Sequence, residues 1–340
     1  MVDVKDRRVL VTGGAGFIGS EVVRQLGEGG ASVTVLDNFS SGRLEYISGI
    51  GGVTKVAGDV CDKEISCKSL QDQEIVIHLA ALPFIPDSYL APEDFFRVNT
   101  MGSVNLVWAA INSKSIEKFV HISSSEVYGT AISTPMNENH PTNPHSTYAV
   151  SKLAAERAIF TMSKEHGYPV VIVRPFNSYG PNITQPYIIP EIGVQLLSGK
   201  STVQLGNVDA SRDFTYVEDT ARGIICASMI KEAIGEVINL GSGSSVTIRD
   251  LVTLMGKLVG REMNIELDKS RLRPYDIDKL VCDNSKAGEI LGWSPQVPLE
   301  KGLKKTLDFL SRNLIELKSP FRGWARHYTK NFRSASNFSS

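Results

Sequence analysis

The sequence predicts an α/β fold, a doubly wound parallel sheet with helices on both faces joined to a smaller α/β lobe, and three observations predict it. Short β-branched runs alternate with helical stretches through the first half of the chain. Most of these runs are apolar at consecutive positions, as strands covered on both faces must be. A glycine-rich turn joins the first run to the first helical stretch, so a strand, a tight turn and a helix follow in direct order.

Residues 8–12, 32–36, 53–57, 75–79, 118–122 and 170–173 read as the strands. Helical stretches between them imply right-handed crossovers and a parallel sheet, whose ligands collect at the strands' carboxyl ends. Residues 93–112 and 147–165 read as two continuous helices. From about Asn177 the rhythm changes, with Pro181, Pro186 and Pro190 closely spaced before mixed short strands and helices. The expected organisation is a dinucleotide-binding domain over residues 1–176, a substrate-binding lobe over 177–318 that exchanges segments with it, and an extension over 319–340.

Composition narrows the function. The 340 residues are 42% hydrophobic and 21% charged with a net charge of -1, which supplies no basic field for nucleic acid or an anionic membrane. No apolar run is long enough to span a bilayer and the first residues are charged, so a cytoplasmic enzyme is expected. Cys61, Cys67, Cys226 and Cys282 show no metal-ligand spacing and read as reduced thiols; no metal site is expected. His78 and His121 lie inside apolar strands and read as structural, hydrogen-bonded imidazoles.

The glycine turn is Gly13-Gly14-Ala15-Gly16-Phe17-Ile18-Gly19. Glycines allow the backbone to turn tightly and approach a pyrophosphate, while the following helix offers unpaired N–H groups and a positive dipole end. Asp37 ends the next strand, where a carboxylate accepts hydrogen bonds from adenosine ribose hydroxyls and repels a 2′-phosphate. These residues make the sheet Rossmann-type and the cofactor NAD rather than NADP, with Arg43 partly offsetting the repulsion. Asn38 adjoins this site. Gly58-Asp59-Val60 either contacts an adenine or is a plain acidic turn.

Tyr148 and Lys152 stand four apart on a helical segment and share one face. An ammonium beside a phenol lowers its pKa, which suits the phenol to accept a proton from a sugar hydroxyl. Ser123-Ser124-Ser125-Glu126 follows the strand 118–122, placing hydroxyls and a carboxylate in the same crevice as the glycine turn.

These motifs, with His78-Leu79-Ala80-Ala81, Asn99, Arg174-Pro175-Phe176-Asn177 and Arg212-Asp213-Phe214-Thr215, resemble the extended short-chain dehydrogenase/reductases over roughly residues 7–308. Within them the chain is similar to the NAD-dependent nucleotide-sugar epimerases, dehydratases and decarboxylases, and most of all to the UDP-GlcNAc and GDP-mannose 4,6-dehydratases. The resemblance implies that Ser124 binds the sugar's 4-hydroxyl, Tyr148 is its base and Lys152 holds the nicotinamide ribose. It places Leu79, Ala80, Ala81 and Asn99 along the cofactor, Ser125 and Asn177 on the substrate, and Arg212 and Arg273 on its pyrophosphate.

By the same resemblance Glu126 discriminates between reactions. Pure 4-epimerases carry a small or apolar residue there, whereas 4,6-dehydratases and UDP-glucuronate decarboxylases carry glutamate. Many hexose dehydratases place an aspartate just before it; here that position is Ser125. A 4,6-dehydratase acting on a UDP- or GDP-linked hexose is the first expectation, a UDP-sugar 4-epimerase the second and a decarboxylase the third. From another class, a catalytically idle NAD-binding sensor is opposed by the intact Tyr148/Lys152 pair. Family members dimerise, here through the two helices 93–112 and 147–165.

Overall fold

In the computed structural model, which describes residues 2–113 and 115–314, the first strands follow the apolar runs closely. β1 is Arg8–Thr12, β2 Ser32–Asp37, β3 Val53–Ala57, β4 Ile75–His78, β5 Lys118–Ile122 and β6 Val170–Pro175. All of β4 and β5 is buried, because helices cover both faces of the sheet. β2 runs one residue further than expected because Asp37 still pairs with Ala57. β4 ends at His78, the last residue paired with β1, one short of the expected Leu79.

The remaining strands are β7 Asn177–Tyr179, β8 Thr202–Leu205, β9 Ser211–Tyr216, β10 Val237–Leu240, β11 Ser245–Thr247 and β12 Asn264–Leu267. The main sheet is seven-stranded in the order β10-β6-β5-β4-β1-β2-β3, and each pairing is parallel. This is the doubly wound Rossmann arrangement, with its change of direction between β1 and β4, where a ligand crevice opens. β10 lies beyond residue 176 yet forms an edge of this sheet. The helix Val217–Met229 likewise packs on the helix Phe17–Glu28 of the first half. The halves therefore share segments across the sequence boundary.

The smaller lobe holds a three-stranded sheet, β11-β9-β7, and a two-stranded one, β12-β8, around a core that includes Ile192, Val203, Leu251, Met255 and Leu303. Residues 319–340 lie outside the described residues. No helix among the described residues is long and apolar enough to cross a membrane.

One expected helix is interrupted. Residues 93–112 form a short helix, Pro92–Phe95, a wide-turned π segment, Phe96–Gly102, and an α-helix, Ser103–Ile111. Within this run the Asn99 side chain takes both polar groups of the Leu82 backbone, and the Ser103 hydroxyl takes the Asn99 carbonyl. A π turn at such a junction is a common mark of a functional site. The second helix is Thr147–His166, ended by Gly167 in the left-handed region.

Candidate active site

A cavity of about 400 Å³ runs from the glycine turn along the carboxyl ends of the main sheet to the smaller lobe. Its first end is backbone. Gly13 has a φ of 68°, and a Cβ there would meet the Ala80 nitrogen at 2.7 Å; a Cβ on Gly19 would fall on the Gly13 carbonyl oxygen. Only glycine lets the turn lie this close to the β4 loop. The helix Phe17–Glu28 begins at Gly16 with no side-chain cap and no acidic residue in its first turn. Its N–H groups and dipole therefore face the cavity uncompensated, which favours an anion.

Asp37 is buried, and its carboxylate accepts the Ala15 N–H at 2.9 Å and the Phe39 N–H at 2.8 Å. It braces the glycine turn while each oxygen retains capacity for a ribose hydroxyl. Asp59 accepts the Cys61 N–H at 2.8 Å and the Asn38 amide at 3.1 Å, so it is a turn cap as well as a wall of the cavity beside Val60. Burial alone would raise its carboxyl pKa; those hydrogen bonds outweigh burial and hold it below the usual range. Asn38, Phe17, Ile18, Leu79, Ala80 and Ala81 also line this end. Asn99 does not. It is fully buried behind the wall, donating to the Leu82 carbonyl and the Ser151 hydroxyl, so its contribution is to hold the loop in place. The set fits a dinucleotide: a pyrophosphate at the helix start, a diol at Asp37.

The middle of the cavity holds Ser124, Ser125, Glu126, Tyr148 and Lys152, brought together by the end of β5 and the helix Thr147–His166. Ser124 opens a short 3-10 turn, Ser125–Tyr128, by accepting the Glu126 N–H at 3.2 Å, and its hydroxyl is near enough to the Tyr148 phenol to influence its pKa. The expected lowering of the phenol pKa by Lys152 is not what the geometry produces. Burial pushes Tyr148 up to about 12, the Ser124 hydroxyl opposes it, and the Glu126 charge adds to the rise. Lys152 is buried and donates to the Ile122 carbonyl at 2.5 Å. Desolvation brings its pKa down to about 8, against the Glu156 charge that sustains it. These surroundings favour the protonated phenol. Glu126 is also buried, and its charge reaches Arg212 as well as Tyr148.

The far end is charged. Arg212 donates to the Ser211 carbonyl at 3.1 Å and lies 3.4 Å from Asp276, which also faces Arg273 at 3.6 Å and Asn207 at 3.3 Å. Asp213 fixes this region by accepting from Ser242, Gly243 and Cys282. Asn177 lines the cavity, and its buried Oδ1 has no hydrogen-bond partner among the described residues, as an acceptor reserved for a ligand would have.

Sequence reasoning passed over several supports. The buried Glu156–Arg174 pair, bidentate with one contact of 3.0 Å, ties the helix Thr147–His166 to β6, and the Arg174 guanidinium lies 4.7 Å from the Tyr128 ring centre. Glu191 pairs with Arg271 at 2.6 Å in the cavity wall. His78 is satisfied by Thr12 at 2.7 Å and Ser103 at 2.8 Å, whereas buried His121 has no partner for either nitrogen among the described residues, contrary to expectation. Neither histidine lines the cavity. Among the described residues no group of three or more His, Cys, Asp or Glu side chains is arranged to hold a metal ion.

Residues 10–306 match the family model described as GDP-mannose 4,6 dehydratase. UDP-glucose 4-epimerase of Mycolicibacterium smegmatis is 33% identical over 89% of this chain and 98% of its own length. Among solved structures, UDP-glucuronic acid 4-epimerase from Bacillus cereus in complex with UDP-glucuronic acid and NAD superposes with a TM-score of 0.83 at 31% identity, over 89% of this chain and 99% of that one. DesIV, a dTDP-glucose 4,6-dehydratase from Streptomyces venezuelae with NAD bound, gives 0.83 at 30% identity over 93% and 98%. By these matches the chain belongs to the GDP-mannose 4,6-dehydratase family of extended short-chain dehydrogenase/reductases, whose dehydratases and epimerases work on nucleotide sugars.

Proposed function

We propose that the protein is an NAD-dependent nucleotide-sugar 4,6-dehydratase acting on a UDP- or GDP-linked hexose. The observation that carries this reading is the Glu126 carboxylate, buried in the cavity with Ser124, Tyr148 and Lys152. An epimerase needs no second base at that position; a dehydratase must remove the proton from C5.

Gly13, Gly16 and Gly19 hold the NAD pyrophosphate at the helix start, Asp37 its adenosine ribose and Lys152 its nicotinamide ribose. Bound there, NAD would supply the hydride acceptor for sugar C4 and the hydride donor for C6. Ser124 orients the 4-hydroxyl and Tyr148 takes its proton. The positive charge of the Lys152 ammonium must offset the burial that favours the protonated phenol. With C4 a ketone, the C5 proton is acidic and Glu126 removes it. Ser125 has no acidic proton to give, so Glu126 passes the proton to the departing C6 hydroxyl, which leaves as water. C5 is reprotonated from solvent after hydride reaches C6. Arg212 and Arg273 grip the diphosphate, for which a planar two-pronged donor is suited, and Asn177 contacts the substrate.

The 4-epimerases among its relatives favour a UDP-sugar 4-epimerase as the second reading, and Glu126 is a residue that dehydratases share with the decarboxylases. The test is incubation with UDP-, GDP- and dTDP-hexoses and with UDP-glucuronate, followed by mass spectrometry. Loss of one water supports dehydration; unchanged mass with a new retention time assigns epimerisation; loss of carbon dioxide removes both. The reading also makes the protein a cytoplasmic homodimer, joined through helices that expose Met101, Trp108 and Val150 at 53%, 49% and 39%.

A further inference from the structure

A ring pair at the mouth of the substrate end joins three pieces of the site. The His145 imidazole stacks on the Tyr275 ring, with centroids 3.7 Å apart and planes 13° from parallel. His145 Nδ1 lies 3.1 Å from the Asp276 backbone carbonyl. A carbonyl only accepts, so Nδ1 carries the proton, and Nε2 is left to accept from the Asn143 amide at 3.5 Å. Tyr275 is 56% exposed, so its contact with the body of the protein is the stack on His145 and not burial.

On one side of this contact, His145 directly precedes Ser146, whose hydroxyl caps the helix carrying Tyr148 and Lys152 by accepting the Ala149 N–H at 3.1 Å. It also abuts the end of the turn carrying Glu126: a Cβ added to Gly129, which has a φ of 69°, would meet the His145 ring at 3.0 Å. On the other side, Tyr275 lies between Arg273 and Asp276, the residues that with Arg212 surround the place for the diphosphate. Between Arg271 and the buried Ile277 the chain has no regular structure of its own to fix that loop.

We propose that His145 and Tyr275 form a positioning clasp that registers the diphosphate-binding loop against the start of the catalytic helix, so that a substrate held by Arg273 and Arg212 presents its sugar to Tyr148 and Glu126. The clasp rests on the nucleotide-sugar reading of the site. Neither ring touches the reacting atoms in this account; they act through the loop and the helix they join.

The test is a double-mutant cycle read in steady-state kinetics, together with calorimetric titration of UDP, GDP and NAD into wild type and variants. His145→Ala and Tyr275→Ala should each raise KM for the nucleotide sugar roughly tenfold, the upper range for loss of a stacked pair. The double variant should be no worse than either single one, because both remove the same contact. Tyr275→Phe, which keeps the stack, should stay within about twofold of wild type, and NAD affinity and the thermal midpoint should be unchanged in all. Additive losses, wild-type KM in the single variants, or a parallel loss of NAD binding would each overturn the clasp. Wild-type protein that binds neither UDP nor GDP would remove the reading of the site itself; wild-type turnover with unaltered variants would remove the clasp alone.

Discussion

The two ends of the cavity are built from different materials. At the cofactor end the surfaces are backbone, held at short distances by glycines, and the carboxylates of Asp37 and Asp59 are already tied to neighbouring N–H groups. At the substrate end the surfaces are charged side chains at looser spacing, with Asp276 at 3.4 Å from Arg212 and 3.6 Å from Arg273. A rigid backbone cradle binds one ligand well and leaves the reaction open; movable charges and a buried carboxylate are where members of one fold can differ. The cofactor end therefore carries what the family shares, and in the proposed reading the chemistry is decided between the two ends, where Glu126 lies.

The largest expected effect breaks the two ends apart. Tyr148→Phe should lower kcat about a thousandfold, within the usual span for loss of a positioned acid–base group, while NAD affinity measured by calorimetry stays at wild type. Parallel loss of both would mean that the ends are not separable. Glu126→Gln comes next: dehydration should fall at least about a hundredfold with substrate binding retained, since what is lost is the transfer of a proton from C5 to the departing C6 hydroxyl. Undiminished water loss would take Glu126 out of the reaction.

The reverse experiment attacks the cradle. In Gly19→Ala the new methyl falls on the Gly13 carbonyl, and overpacking of about 1–3 kcal/mol corresponds to a loss of roughly five- to 150-fold in NAD affinity if the turn yields. Binding of UDP or GDP should be untouched, and its loss would contradict the division. The smallest effect concerns the sheet beneath both ends. Burial holds His78 down to about 3, and His121 is likewise held well below its ordinary value by burial, with the Lys152 charge adding to both. The unfolded chain takes up these protons near pH 6.5 and the folded one does not, so the stability present above about pH 6.5 is lost as pH falls toward 3. Thermal midpoints measured across that window should drop with acid. His121→Leu, which removes an imidazole with no partner among the described residues, should make the drop shallower; an unchanged slope would exclude His121 as a source.

What could be read in advance follows the same division. Alternating apolar runs and a glycine turn are local patterns with a direct physical cause, so β1 to β6 and the cradle were legible to within one or two residues. Asn99 fits the helical pattern around it, and nothing in the sequence tells that its amide turns inward to Leu82 and Ser151. The Tyr148 phenol was misjudged because spacing shows Lys152 four residues away but not the burial, nor the Ser124 and Glu126 side chains that fold against it. β10 and the helix Val217–Met229 return to the first sheet from beyond its expected boundary, a long-range pairing that local patterns do not carry. The contacts of Tyr275 and Asp276 with His145 join positions more than a hundred residues apart, so they became visible only with the fold.

The central claim is that Glu126 removes the C5 proton and solvent replaces it. The direct measurement is the reaction run in deuterium oxide with the active nucleotide hexose, the product being analysed by mass and by proton NMR at C5. The account predicts a product lighter by one water and bearing one deuterium at C5, with both changes lost in Glu126→Gln. A product of unchanged composition, inverted at C4 and free of deuterium at C5, would contradict it and make the protein an epimerase.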